Sequence, residues 1–225
     1  VSEKTIISLG GVVPGAQALA ESIANNPTLQ GLNKTVWLFS LVEITHLLSL
    51  VILGGATLVL ALRTLGVSLV DAPATDVERL TRPWLHAGVI GGVLTGIFMS
   101  IETALTLVGN GAFLVKILAL AAAVLFSLAL ARRLHGGRAA VQATLALIGL
   151  GLLVVGLCLF AGTKILAPGA TLLGAATALF LLPVAIARLR ARPAEHRDRF
   201  AQLLATGTVV AWLTVTISGR WIGFS

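Results

Sequence analysis

The sequence predicts an all-α integral membrane protein: a six-transmembrane-helix bundle preceded by a short N-terminal interfacial helix. Three observations carry that prediction. Only 11% of the residues are charged and 57% are hydrophobic, whereas a soluble domain carries about 25% charged residues. Six separate stretches each offer roughly 20 mostly apolar residues, the length that crosses a bilayer core. The arginines fall between alternate stretches, which is the charge asymmetry that orients membrane helices. Mean hydropathy is +0.99. No Gly-, Ser- or Pro-rich linker divides the chain, so residues 1–35 form an N-terminal segment and 36–225 a single transmembrane domain.

The N-terminal segment does not read as a cleavable signal. Its apolar part is interrupted by Gly10, Gly11 and Pro14, and a signal needs a continuous apolar core of about 7–15 residues. The stretch "AQALAESIANN" (16–26) places Ala16, Leu19, Ala20 and Ile23 on one helical face, with Pro27 after it. That pattern predicts a helix lying on the membrane surface. The predicted spans are 36–62, 83–108, 112–134, 140–163, 169–186 and 200–221.

Loops after the first, third and fifth spans hold eleven arginines: 63, 79, 82, 132, 133, 138, 188, 190, 192, 197 and 199. The opposite side holds Lys4, Lys34, Lys116, Lys164 and Arg220. The positive-inside rule then puts the arginine loops in the cytoplasm and both termini in the periplasm of a bacterial inner membrane. The net charge of +7 is read as this topology signal. Nucleic acid is not expected as a partner, because no aromatics interleave the basic stretches.

Trp37, Trp84 and Trp221 fall at span ends as an aromatic belt, while Trp212 lies deep in the sixth span and is expected to pack. Gly88, Gly92 and Gly96 recur every four residues in the second span. Such a stripe allows close helix contact, and with the glycines of spans one and four it suggests a tight core of the first four spans. Alternatively it would admit a flat cofactor. The single Cys158 is expected to pack between helices.

Four ionisable residues lie inside apolar runs: Glu43, His46, Glu102 and Lys116. A charge at mid-membrane costs about 2.5–3.5 kcal/mol on insertion scales, so each needs a partner or a task. Counting residues from the span ends at about 1.5 Å each puts all four in the outer third of the bilayer. In one reading Lys116 pairs with Glu102 or Glu43, and the pair pins helices together. In the other the group forms a site open to the periplasm. Glu43 and His46 form a Glu-x-x-His pair on one face, as in metal sites of helical bundles. Met99 adds a thioether, which favours Cu(I). The candidate metal ligands are therefore Glu43, His46, Met99 and Glu102, with copper the first choice. A b-type haem comes second. His46 and His86 differ in depth by about 20 Å, so only His86 and His135 are placed to share an iron. A quinol site is the remaining option, since a carboxylate and an imidazole near one face accept the protons released on quinol oxidation.

"WLFSLVEITHLLSLVILGGATLVLALRTLGV", "LTGIFMS", "FLVKILAL" and "SGRWIGF" resemble a bacterial family of polytopic membrane proteins known as a domain of unknown function. The most specific parts are W-x-F-x-x-x-E-x-x-H, here Trp37, Phe39, Glu43 and His46, and G-R-W-I, here Gly219 to Ile222. The resemblance runs from about residue 30 to the C-terminus and implies an integral membrane protein, with no activity attached. A more distant similarity, in the Lys116-bearing span and the Gly-rich helices, is to copper-resistance D-type membrane domains. That similarity gives copper weight.

The expected function is that of a membrane subunit rather than an enzyme on its own. Its periplasm-facing site of Glu43, His46, Glu102 and Lys116 binds a metal or supports quinol-linked redox with a membrane or periplasmic redox partner protein. The alternatives are a non-catalytic membrane anchor or scaffold subunit and a small-solute transporter. No phosphate loop, nucleophile elbow, CxxC or HExxH motif is present.

Overall fold

The structure is a computed structural model that describes residues 8–32, 36–162 and 198–224, together with Thr177. The described elements are all helical. Three short helices come first, α1 (Leu9–Val12), α2 (Ala16–Ala24) and α3 (Pro27–Leu32). Then follow α4 (Val36–Leu65), α5 (Ala74–Glu102), α6 (Ala104–Gly109), α7 (Gly111–Leu134), α8 (Ala139–Gly162) and α9 (Arg199–Trp221), closed by a 3-10 turn, Ile222–Phe224. Five of these, α4, α5, α7, α8 and α9, are long and apolar enough to cross a membrane. The predicted span at 169–186 lies outside the described residues.

Local chemistry sets the ends. Gly66 and Gly136 adopt left-handed φ values of 74° and 67°. After α4, Val67 N–H donates to Leu62 O and Gly66 N–H to Arg63 O. After α7, Gly137 N–H donates to Arg132 O and Gly136 N–H to Arg133 O. Both are Schellman caps, and glycine takes that φ without a Cβ penalty.

The second predicted span needs correction. Its helix begins at Ala74 instead of residue 83, and Pro83 lies inside it. The charged stretch before Pro83 extends the helix beyond the apolar run. At 1.5 Å per residue α5 is about 43 Å long, against about 30 Å of bilayer core. Its other end breaks at Thr103, and the apolar residues that follow form the separate helix α6. There Ala104 and Val108 are buried against Ala20 of α2. The N-terminal helix therefore docks on α6 through Ala16, Ala20 and Ile23, while Leu19 points outward at 62% exposure.

The tight core expected from the first four spans is also corrected. Among the described helices α4, α7 and α9 form the centre, α5 flanks α4, and α8 flanks α7. Small residues decide this arrangement. Ala119, Ala122, Ala123, Ala129, Ala205 and Ala211 are fully buried, which lets backbones approach closely. Phe126 fills the space between α8 and α9, where Cβ atoms added at Gly149 and Gly207 would lie 3.0 and 2.9 Å from its ring. Trp212 packs its ring on Gly54 and donates from Nε1 to Thr57 Oγ1 at 2.7 Å. Glycines of α5 face α4: a Cβ at Gly88 would stand 2.8 Å from the Leu53 backbone, and one at Gly91 would meet Ser49 Oγ. Cys158 is exposed rather than packed between helices, since α8 flanks the other described helices.

Candidate functional site

The close α4–α5 contact sets the geometry of His46. Gly96 of α5 lies beside the imidazole, where a Cβ would come within 3.3 Å of His46 Cε1. His46 Nδ1 is 2.9 Å from Thr95 Oγ1. The Thr95 hydroxyl has one proton, and it donates that proton to Gly91 O at 2.6 Å. Nδ1 is therefore assigned as the donor to Thr95, which leaves Nε2 of the neutral ring with a free lone pair.

Lys116 arrives from α7. It is half-buried, and a Cβ at Gly219 of α9 would lie 3.6 Å from its Cδ. Among the described residues Lys116 takes part in no ion pair. Asn110 positions this helix. It is buried, caps α7 by accepting from Phe113 N–H at 3.0 Å, and donates from Nδ2 to Ile222 O at 3.1 Å. The start of α7 is thereby tied to the end of α9. Asn110 is one residue the sequence reading missed, although Asn before a helical apolar run is an N-cap signal.

The other predicted residues are less closely joined. Glu43 and Glu102 are exposed, and Met99 is half-buried. No ion pair among the described residues involves either carboxylate. Nor do the described residues contain a group of three His, Cys, Asp or Glu spaced to hold a metal ion. Of the predicted site residues, His46 is joined to a polar group on another helix, Thr95 of α5.

A second polar cluster lies at the arginine-rich end. Glu78 is buried, its side chain 3% exposed. It accepts from Arg82 Nε at 2.8 Å and Arg82 Nη2 at 2.7 Å, and from His135 Nε2 at 2.6 Å. This links α5 to the cap of α7. Beside it is a cavity of about 690 Å³ between α4, α5 and α7, and His86 and His135 both line it. His135 Nε2 is engaged with Glu78. The sequence reading passed over Glu78 because "TDVERLTR" looks like a solvated loop, although Glu78 and Arg82 have the i, i+4 spacing of a helical ion pair. Nearby, Asp198 caps α9 by accepting from Phe200 and Ala201 N–H, and it pairs with Arg133. Burial pushes the Asp198 carboxyl up, but the Arg133 hydrogen bond and the cap N–H groups outweigh it and hold the pKa below the ordinary value.

Apolar helices of spanning length around buried polar clusters define a polytopic helical membrane protein. The chain belongs to the family of unknown function DUF6644, whose sequence model matches residues 33–168. The matched segment carries α4 to α8, and with them His46, Thr95, Lys116 and Glu78. The Gly219–Ile222 ending lies beyond it. No curated protein and no solved structure matches the chain.

Proposed function

We propose that this protein is a membrane subunit that binds a quinone-type headgroup at the level of His46, Thr95 and Lys116, and takes up protons when the quinol form is oxidised. One observation carries the reading: the Nδ1–Thr95 contact leaves the neutral His46 ring its Nε2 lone pair, while Lys116 of α7 keeps an ammonium with no ion pair among the described residues. A quinone carbonyl accepts a hydrogen bond from Lys116, and a quinol hydroxyl donates to His46 Nε2. Oxidation of the quinol releases two protons and two electrons. His46 takes one proton and passes it toward Glu43, one turn nearer the start of α4. The second proton leaves to solvent, and the electrons pass singly to a membrane or periplasmic redox partner protein. The arginine asymmetry supports an orientation with this level toward the periplasm. Copper, held by His46 with Glu43, Met99 or Glu102, is the alternative occupant, supported by the Glu-x-x-His spacing.

The test uses purified protein in nanodiscs, titrated with a short-chain ubiquinone analogue. Saturable binding is expected in wild type and a loss of roughly tenfold or more in both His46→Ala and Lys116→Met, at unchanged helicity. Equal binding in all three would remove the quinone reading and leave a structural role for the cluster. Metal analysis and an absorption spectrum on the same sample cover the other occupants. Stoichiometric copper lost in His46→Ala would replace quinone by copper, and a Soret band would establish haem.

A further inference from the structure

The cavity at the arginine-rich end lies at the opposite side of the bundle from His46 and has a chemistry of its own. Arg79, Arg82, Arg132, His86 and His135 stand around it, with Glu78 beneath. Glu78 neutralises Arg82 and fixes His135. The side chains of Arg79 and Arg132 make no ion pair among the described residues. Two guanidinium charges are therefore in excess at the rim. Leu60, Leu85 and Leu128 supply apolar lining. One wall is α5, the spanning helix least covered by protein, with 11% of its most apolar window buried. Guanidinium groups match phosphate oxygens with paired N–H donors. An apolar lining below a basic rim suits a hydrocarbon chain attached to that phosphate. At about 690 Å³ the cavity falls in the range of small-molecule sites, and it accepts a headgroup with the first part of a chain.

We propose that this cavity is a binding site for a phosphate-bearing anionic amphiphile. Arg79 and Arg132 hold the phosphate, the leucines contact the chain, and the Glu78–Arg82–His135 cluster keeps the opposite side of the rim rigid. The same phosphate chemistry occurs in an anionic phospholipid and in a soluble phosphate ester, and the experiment separates them. Full-length protein in neutral detergent is titrated with phosphatidylglycerol and with phosphatidylcholine, followed by native mass spectrometry. Each titration is repeated with inorganic phosphate or glycerol phosphate as competitor. Two double variants with equal charge loss are compared: Arg79→Gln with Arg132→Gln at the cavity, and Arg199→Gln with Arg220→Gln, which do not line it. All four arginines are exposed, so both variants are expected to fold, and circular dichroism checks this.

The expected result is one saturable phosphatidylglycerol per protein. It should weaken roughly tenfold in the cavity variant, about one charge-assisted hydrogen bond, and less than about twofold in the other. Competition by millimolar phosphate or glycerol phosphate, lost in the cavity variant, would assign the site to a soluble ester. Equal weakening in both variants would reduce the effect to diffuse surface charge and overturn the proposal. So would equal retention of the two lipids with no competition by phosphate.

Discussion

Thr95 illustrates how one hydroxyl governs a neighbouring ring. By giving its proton to Gly91 O it presents only lone pairs to His46, and this fixes the tautomer. Thr95→Val is expected to weaken binding of the quinone analogue about fivefold, the equivalent of one neutral hydrogen bond of about 1 kcal/mol. Thr95→Ser should restore it, because only the hydroxyl matters. Unchanged binding in Thr95→Val would mean that the tautomer is set elsewhere. At this scale the sequence was informative about His46 and Lys116, since an ionisable group in an apolar run is conspicuous. It was silent on Thr95, because a threonine in a transmembrane helix ordinarily bonds its own backbone, and only the α4–α5 contact brings it to the imidazole. Glu78 was hidden for the opposite reason. Its neighbours are charged, and burial in such a stretch comes from tertiary packing.

Among the elements, α5 shows how glycine position sets helix distance. A Cβ at Gly88 would meet the backbone of Leu53, which cannot rotate aside as a side chain can. Gly88→Ala is therefore expected to destabilise the protein by about 1–3 kcal/mol, the usual cost of overpacking. Gly55→Ala, where a Cβ meets nothing within 4 Å, should be neutral or slightly stabilising through helix propensity. Thermal unfolding in detergent compares the two. Equal midpoints would show that α4 and α5 separate easily. Helix positions were legible from hydropathy to within a few residues for α4, α7, α8 and α9. The exception was α5, where Pro83 resembled a helix start and the apolar run continued past Thr103. Hydropathy records solubility in lipid, and it does not register a break between two apolar helices.

Over the whole molecule, the arginine-rich end is held by polar clamps. Glu78–His135 joins α5 to α7, and Arg133–Asp198 joins α7 to α9. Asp198 gives the second clamp a pH dependence. Its folded pKa lies below the ordinary carboxylate value. Its contribution is therefore full above that unfolded value, about pH 4, and is lost as pH falls through the folded pKa. The difference in unfolding midpoint between wild type and Asp198→Asn should be constant at neutral pH and shrink below about pH 4. A difference that persists unchanged well into acid would assign the effect to helix capping by a neutral group. The identity of the central helices was not readable from the sequence. Charge asymmetry gives direction and hydropathy gives spans, but neither says which helices touch. That is decided by facing surfaces such as Gly54 against Trp212.

The place of α9 has a consequence for how the protein is made. It follows α4 to α8 in the sequence, yet among the described helices it stands between α4 and α7. A chain emerging from the ribosome inserts α4 to α8 before the helix that unites them exists. During that interval Gly54, Thr57 and Phe126 lack their partners on α9. Assembly must wait until α9 has been made, and a nascent chain stalled before Trp212 presents an open seam to membrane chaperones and proteases.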